Sequence, residues 1–507
     1  MLVSLLLTLI AIASGFVLTY TFEEDEPLAS RLCAGACIGL ALMGLIGFLF
    51  ALALGLYAIT LVVTALVTAA PLLLLTRHFY RGRINTDINH VLGAISRAIA
   101  RPNRWDFIYF LFYAAFAIAM WLIFRRALLE ESDGIATGVL NNFGDLPFHL
   151  SVITRFAYGQ NFPPEDPTFA GVRFTYPFIT DFISAMFVRA GASLRNSLFI
   201  ENYVIAVALV GVVHRFGQKL VRNRTAAIIT PLLILLNGGF GWVMLWDDIG
   251  KVDGGVYQVL KHLSHSYTIL PEIEKAWRWG NSITSLLLTQ RGFLLGIPLA
   301  VIVIQLWWTA LADGETGREG DTGNKSPKKS KSSETHLRVS PSPRLPVSAR
   351  MLAAGIIAGL LPLIHAHSFI TLLMVAAFVV PWLYWRAWTA YGLAILVGIF
   401  VFFLAANNEA AGSPWIKVVF AALLFGVIAN LYFFLPWSHV RLWLCFFVAA
   451  IVIGGPQILW STHKSAIKTQ SFIAWQFGWD SDQQEMFGSK PAGSQPIETV
   501  PPFSKWF

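Results

Sequence analysis

Charge is what this 507-residue chain has least of: Asp, Glu, Lys and Arg make up 13% of it, where a soluble domain carries about 25%. That deficit excludes a water-exposed surface over most of the molecule. Cysteine is scarce too. Cys33, Cys37 and Cys445 all fall inside apolar runs, which excludes a disulfide framework. The net charge of +8 is not gathered into a basic domain, so no phosphate-tracking face exists and a nucleic-acid partner is excluded. What abounds is apolar: 56% hydrophobic residues and a mean hydropathy of +0.62, in repeated runs near the ~20 residues that cross a bilayer. The expected fold class is all-α, a polytopic transmembrane helical bundle.

Window hydropathy gives about twelve candidate spans, near 1–20, 32–52, 55–76, 106–124, 196–213, 225–246, 285–310, 350–365, 368–385, 389–405, 415–435 and 441–456. Residues 1–20 lack the charged start and small-residue cleavage site of a signal peptide and read as a retained span. Loop 77–105 carries Arg77, Arg81, Arg83, Arg97, Arg101 and Arg104 against Asp87. Loop 214–224 carries Arg215, Lys219, Arg222 and Arg224 and no acid. Both are expected to be cytoplasmic, which places 125–195, 247–284 and the turn at 365–367 on the opposite side. Glu23, Glu24, Asp25 and Glu26 run against this pattern, but acids weigh little in it.

The organisation follows. Residues 1–104 hold N-terminal spans and a basic cytoplasmic loop, and 105–310 a membrane core with a long first extracytoplasmic loop at 125–195. Residues 311–349, rich in Gly, Ser, Pro and charge, are expected to be a disordered cytoplasmic linker. Residues 350–456 are C-terminal spans. The stretch 457–507 reads either as an extracytoplasmic tail or as the start of something longer.

Chemistry-bearing residues concentrate in 141–181: Asp145, His149, Glu165, Asp166, Arg173, Tyr176 and Asp181. Residues 146–158 read as a short amphipathic interfacial helix with Asp145 as N-cap, Pro147 in the first turn and Gly159 at its end. Leu146, Leu150, Ile153 and Ala157 form its apolar stripe. His149, four residues after Asp145, can share a face with it. The pair could bind a phosphate-bearing lipid head or take a proton, while the bland reading leaves a cap and an interfacial polar side chain. The segment "FPPEDP" reads as a stiff, extended loop whose acids are solvated.

Three further segments stand out. In "LLPLIHAHSF", His365 and His367 converge only where the helix is broken. No partner spacing for a metal accompanies them, and phosphate binding or capping of a helix end fits better. In "LLLTQRGFLLGIPL", Gln290 and Arg291 open a span. Arg291 either snorkels to the interface or, inside the bundle, forms an anion site. The glycines of "LNGGFGW" at 236–242 permit close approach or a helix break.

"FGDLPFHLSVI" with "GQNFPPEDP" and "YPFITD" resembles the first extracytoplasmic loop of the GT-C superfamily of polytopic membrane glycosyltransferases. "NGGFG", "QRGFLLGIPL" and "LPLIHAHSF" are similar to patterns of an uncharacterised bacterial branch. The resemblance covers roughly 105–460. It departs from the family in showing one acid, Asp145, where two adjacent acids are common, and in placing three spans ahead of the usual first one. It implies transfer of a sugar from a polyprenyl-phosphate donor to an extracytoplasmic glycan, lipid or protein acceptor at a bacterial inner membrane. It implies Asp145 as general base, with His149, Glu165, Asp166, Arg173, Tyr176, Arg291, His365 and His367 binding substrate. A divalent cation is compatible with it and no other cofactor is called for. A transporter or flippase for a lipid-linked or anionic substrate is the alternative. Charges buried within spans would favour that alternative.

Overall fold

A computed structural model describes residues 1–132, 134–139, 142–169, 171–238, 242–262, 281–319, 347–383 and 437–462, with single positions between 392 and 426. It is all-α apart from one small antiparallel hairpin, β1 (Leu129–Glu131) with β2 (Gly134–Ala136). Among the described residues, eight helices are long and apolar enough to cross a membrane. The chain is thus an integral, multi-pass membrane protein.

The eight are α1 (Leu2–Thr19), α2 (Leu28–Leu54), α3 (Ala58–Ala69) continued by a 3-10 segment to Thr76, α5 (Arg104–Ala127), α8 (Leu194–Val221), α12 (Arg291–Glu319), α14 (Pro362–Leu383) and α15 (Trp437–Thr462). Each matches one expected span. The spans expected at 389–405 and 415–435, and most of the tail, lie outside the described residues. Two others are corrected. The run 225–246 is not one span but α9 (Arg224–Leu235) and α10 (Trp242–Lys251), separated at the glycine-rich segment, followed by α11 (Gly255–Lys261). The run 350–365 is α13 (Val347–Gly359), whose 13 residues reach only about 20 Å.

Three boundaries move for physical reasons. Residues 78–100, expected as a loop, form α4 (His78–Ala100), none of whose residues is buried. The arginines that made it look like a loop lie on a solvated helix. The linker is shorter than expected at both ends, because α12 runs on to Glu319 and α13 begins at Val347. Its centre, 320–346, lies outside the described residues. The break expected at 365–367 is present at His365, whose backbone is non-helical, and a further turn lies ahead of it at Leu360 and Leu361. There the Gln457 side chain on α15 donates to the Gly359 carbonyl (2.7 Å) and accepts from the Leu363 N–H (3.2 Å).

The helices pack through small residues, as expected where lipid removes the hydrophobic drive between them. In α1 and α2, Gly15, Gly35 and Gly39 lie at the crossing. A Cβ on Gly39 would sit 1.8 Å from the Ala11 carbonyl oxygen. Asn103 and Asp106 form a capping box that starts α5.

Polar contacts gather at two opposite ends. At one, which holds the turn 20–27, α4, the C-terminal part of α8 and the α13 start, Arg215 pairs with Glu26 (2.8 Å) and Lys219 with Glu23 (3.4 Å) and Glu26. Arg31 pairs with Asp87 (3.5 Å), and Arg83 donates to the Glu24 carbonyl (3.0 Å). Glu23 and Glu26, two of the acids that disagreed with the loop-charge pattern, are thus counter-ions of Arg215 and Lys219, which help to define it. The other end carries α6 (Asp145–Ala157), α7 (Ile179–Arg189) and the loop between them.

Candidate functional site

Five consecutive residues organise the loop end. A short π-helical turn, Ile283–Leu287, precedes them, and its start is clasped to the glycine-rich segment. Asn237 Oδ1 accepts from Ser282 Oγ (2.6 Å), and Asn281 Nδ2 donates to the Asn237 carbonyl (2.6 Å). That clasp sets where α12 begins. Thr289 then meets α6, Gln290 the loop at Tyr176, Arg291 both α7 and α8, and Gly292 and Phe293 meet α14.

Arg291 turns into the bundle. Its side chain is 2% exposed, and Asp181 and Glu201 beside it are 0% exposed. The guanidinium donates to Asp181 Oδ1, to Glu201 Oε2 (2.7 Å) and to Ser184 Oγ (2.6 Å). Ser184, one turn after Asp181 on α7, donates in turn to Glu201 (2.5 Å). The second oxygen of Asp181 meets His149 Nδ1 at 2.8 Å, and His149 Nε2 faces the Thr289 carbonyl at 3.1 Å. Both ring nitrogens therefore face acceptors, and both can donate only in the imidazolium form. Asp181 and Glu201 thus share the Arg291 guanidinium, and Asp181 also holds the His149 ring. Arg291 Nε and Glu201 Oε1 are buried without a hydrogen-bond partner among the described residues.

This rearranges the expectations for α6. Its buried stripe is Leu146, His149, Val152, Ile153 and Phe156, so His149 belongs to the core face and not to a membrane interface. Its partner is Asp181, not Asp145. Nor is Asp145 the N-cap. Gly144 holds that position, no side chain caps the helix, and Asp145 is its first residue. Asp145 is half-buried, and among the described residues its carboxylate makes no hydrogen bond or ion pair.

Tyr176 lies at the same place. Its ring is 5.1 Å from Phe148 and 6.3 Å from His149, and its hydroxyl donates to Gln290 Oε1 (3.3 Å). Burial, then the charges of Asp181 and Asp145, push the phenol up to about 12. It is a neutral O–H donor at any physiological pH, and the effect of Asp145 on it puts that carboxylate in its neighbourhood.

His365 and His367 meet α12 from the other side. The backbone of His365 is extended (φ −156°, ψ 92°), which breaks α14. Its Nδ1 accepts from the Ser368 N–H (3.2 Å) and contacts Ser368 Oγ (2.8 Å), so it caps the helix that follows. In the neutral ring the proton then sits on Nε2. The His367 ring is 5.5 Å away and the Phe293 ring 5.2 Å. The close approach is permitted by glycines. A Cβ on Gly292 would sit 2.3 Å from the Ile364 carbonyl oxygen, and one on Gly296 2.7 Å from His365 Cβ.

Three expected site residues stand apart. Glu165 and Arg173 form an isolated antiparallel bridge, with Glu165 exposed. Asp166 Oδ1 accepts from Thr168 N (2.8 Å) and Phe169 N (3.0 Å), a turn-forming role. Arg173 stacks on Trp460 of α15 at 4.3 Å, and Trp460 donates to the Phe174 carbonyl (3.2 Å). Through Arg173 and Phe174 this segment docks the loop on α15. Among the described residues no group of three or more His, Cys, Asp or Glu could hold a metal ion. Asp181, Ser184 and Glu201 matter more than sequence reasoning suggested. The usable signal was a charge within an apolar helix, "FITDFISAMF" and "FIENYVIAV".

Comparison with family models, curated proteins and solved structures finds no match for this chain.

Proposed function

We propose that the chain is a membrane glycosyltransferase of GT-C type, which moves a sugar from a polyprenyl-phosphate donor to an acceptor hydroxyl, with Asp145 as general base. The observation that carries this reading is the state of Asp145. It is a half-buried carboxylate at a helix start, with neither a capping bond nor an ionic partner among the described residues, on a helix held in place by the buried His149–Asp181 pair. A carboxylate so placed can accept the proton of an acceptor hydroxyl. The hydroxyl oxygen bonds to the anomeric carbon, the bond from that carbon to phosphate oxygen breaks, and the polyprenyl phosphate leaves with the electron pair. Tyr176 O–H and His365 Nε2–H are the neutral donors offered to the sugar and the leaving phosphate. Arg291 takes a different part from the one first expected. Its guanidinium is occupied by Asp181, Glu201 and Ser184, so it positions α7 and, through Asp181, His149. Glu165, Asp166 and Arg173 are left out of the substrate contacts.

One observation favours a transporter or flippase instead: four ionisable side chains, His149, Asp181, Glu201 and Arg291, are buried within the bundle. These side chains are engaged with one another, Arg291 with Asp181 and Glu201 and His149 with Asp181, and are not offered to a substrate, which is why the enzyme reading is preferred.

The test is Asp145→Asn, assayed for sugar transfer from a polyprenyl-phosphate donor in membranes and normalised to protein amount. A loss on the order of a hundredfold or more is expected. Since Asp145 caps nothing, Asp145→Ala should lose transfer equally and leave protein level unchanged. Transfer by Asp145→Asn at the wild-type rate would remove the assignment. Donor movement across the bilayer without transfer would establish the second reading.

A further inference from the structure

At the end opposite Asp145, an open cleft of about 470 Å³ lies between the C-terminal turns of α8, the start of α9 and the outer part of α12. Arg215, Lys219, Arg222, Arg224, Trp308 and Thr309 line it. No Asp or Glu does. Arg215 and Lys219 are already matched by Glu26 and Glu23. Arg222 and Arg224 have no carboxylate partner among the described residues, and both are exposed; Arg224 lies over the Trp105 ring at 5.9 Å. The cleft therefore carries two uncompensated guanidiniums in a space of the size ligand sites occupy.

The backbone at Arg222 is unusual. It closes α8 in the left-handed region (φ 53°), its N–H donating to the Gln218 carbonyl at 2.9 Å. That is a position where glycine is the ordinary choice. An arginine kept there has its side chain directed by a conformation that costs stability. The surroundings say what kind of ligand can arrive. Leu220, Val221, Ile229 and Leu233 are exposed apolar residues on α8 and α9, and Trp308 is half-exposed on the wall. Apolar span surface thus begins at the edge of the cleft, and a tryptophan stands where interfacial aromatics stand.

We propose that this cleft binds the phosphodiester headgroup of an anionic membrane lipid, with Arg222 and Arg224 as its ligands. Guanidinium forks match phosphate oxygens two at a time, and the acyl chains lie along the apolar faces of α8 and α9. The site is separate from the Asp145 region and takes no part in sugar transfer.

The test uses the full chain purified in a neutral detergent, with thermal unfolding followed during titration by phosphatidylglycerol, phosphatidylcholine and glycerol 3-phosphate. Phosphatidylglycerol should raise Tm saturably, and phosphatidylcholine should not. Arg222→Gln with Arg224→Gln should weaken the apparent affinity for phosphatidylglycerol about tenfold or more, the size expected for losing charge-assisted hydrogen bonds. Arg222→Gly suits the left-handed backbone, so it should keep or raise the lipid-free Tm while losing response to the lipid. Arg126→Gln, an exposed charge at the far end, should titrate like wild type. If the double variant and wild type titrate alike, the binding is diffuse charge and the site is wrong. If glycerol 3-phosphate matches phosphatidylglycerol at equal concentration, the lipid source is wrong and a soluble phosphate takes its place. Absence of any shift overturns the proposal outright.

Discussion

Replacing Arg291 by Met removes one cation from the buried network and leaves the rest of the side chain's volume. Asp181 and Glu201, both 0% exposed, then lose the guanidinium they share. Breaking a buried ion pair by deleting one partner costs about 3–5 kcal/mol, because the other charge stays out of water. The intact network is worth less than that. Its two unpartnered atoms, Arg291 Nε and Glu201 Oε1, each carry a desolvation cost of about 1–3 kcal/mol. The asymmetry yields a sharper expectation than the single variant does. Arg291→Met with Glu201→Gln removes the guanidinium together with one of the two carboxylates it serves and leaves the His149–Asp181 contact in place. It should recover at least about half of the loss, whereas independent sites would add. Arg291→Lys should fall between, since an ammonium keeps the charge but cannot bridge Asp181 and Glu201 as the fork does. The assay is the temperature at which monodisperse protein in detergent is lost, measured for all four proteins. If Arg291→Met is as stable as wild type, or if Glu201→Gln worsens it additively, Arg291, Asp181 and Glu201 are not a coupled network.

The two glutamates at the opposite end should respond to substitution in opposite senses. Burial raises the pKa of Glu23, with Lys219 only partly offsetting it; for Glu26 burial acts the same way, but Lys219 and Arg215 together outweigh it and lower its pKa. Glu26 thus contributes stability above the ordinary carboxylate range, lost as pH falls through its depressed value. Glu26→Gln should therefore destabilise at neutral pH and matter less in acid, while Glu23→Gln should be neutral or stabilising at pH 7; matching losses at pH 7 would refute the assignment. Gly292→Ala should cost about 1–3 kcal/mol by pushing the Ile364 carbonyl and with it the break at His365; thermal unfolding unchanged from wild type would show that the two helices do not meet there.

Much of the architecture was legible in residue order alone. A run of about 20 apolar residues has one stable solution in a bilayer, a helix that satisfies its own backbone, so eight of the expected spans could be read directly from hydropathy. The short helices α9 and α13 could not, because apolar composition does not report where a glycine-rich segment or a turn held by Gln457 interrupts the run. The arginine-rich stretch that became α4 was misjudged for a related reason: charge density says that a surface is solvated, not whether its backbone is helical.

The candidate site divides in the same way. Residue chemistry alone picked out Asp145, His149, Tyr176, Arg291 and His365, since polar groups beside apolar spans are costly to place and so are informative. It could not say which of them meet. His149 and Asp145 are four residues apart and look like partners, yet the turn of α6 against α7 gives His149 to Asp181 and leaves Asp145 free. Arg291 looked like a ligand for phosphate until α7 and α8 supplied Asp181, Ser184 and Glu201 from positions 90 to 110 residues away. Hydropathy is a local sum and survives in the sequence. Pairing of buried charges depends on helix rotation and on the close crossings that glycines such as Gly292 and Gly296 allow, and only the packed bundle decides those.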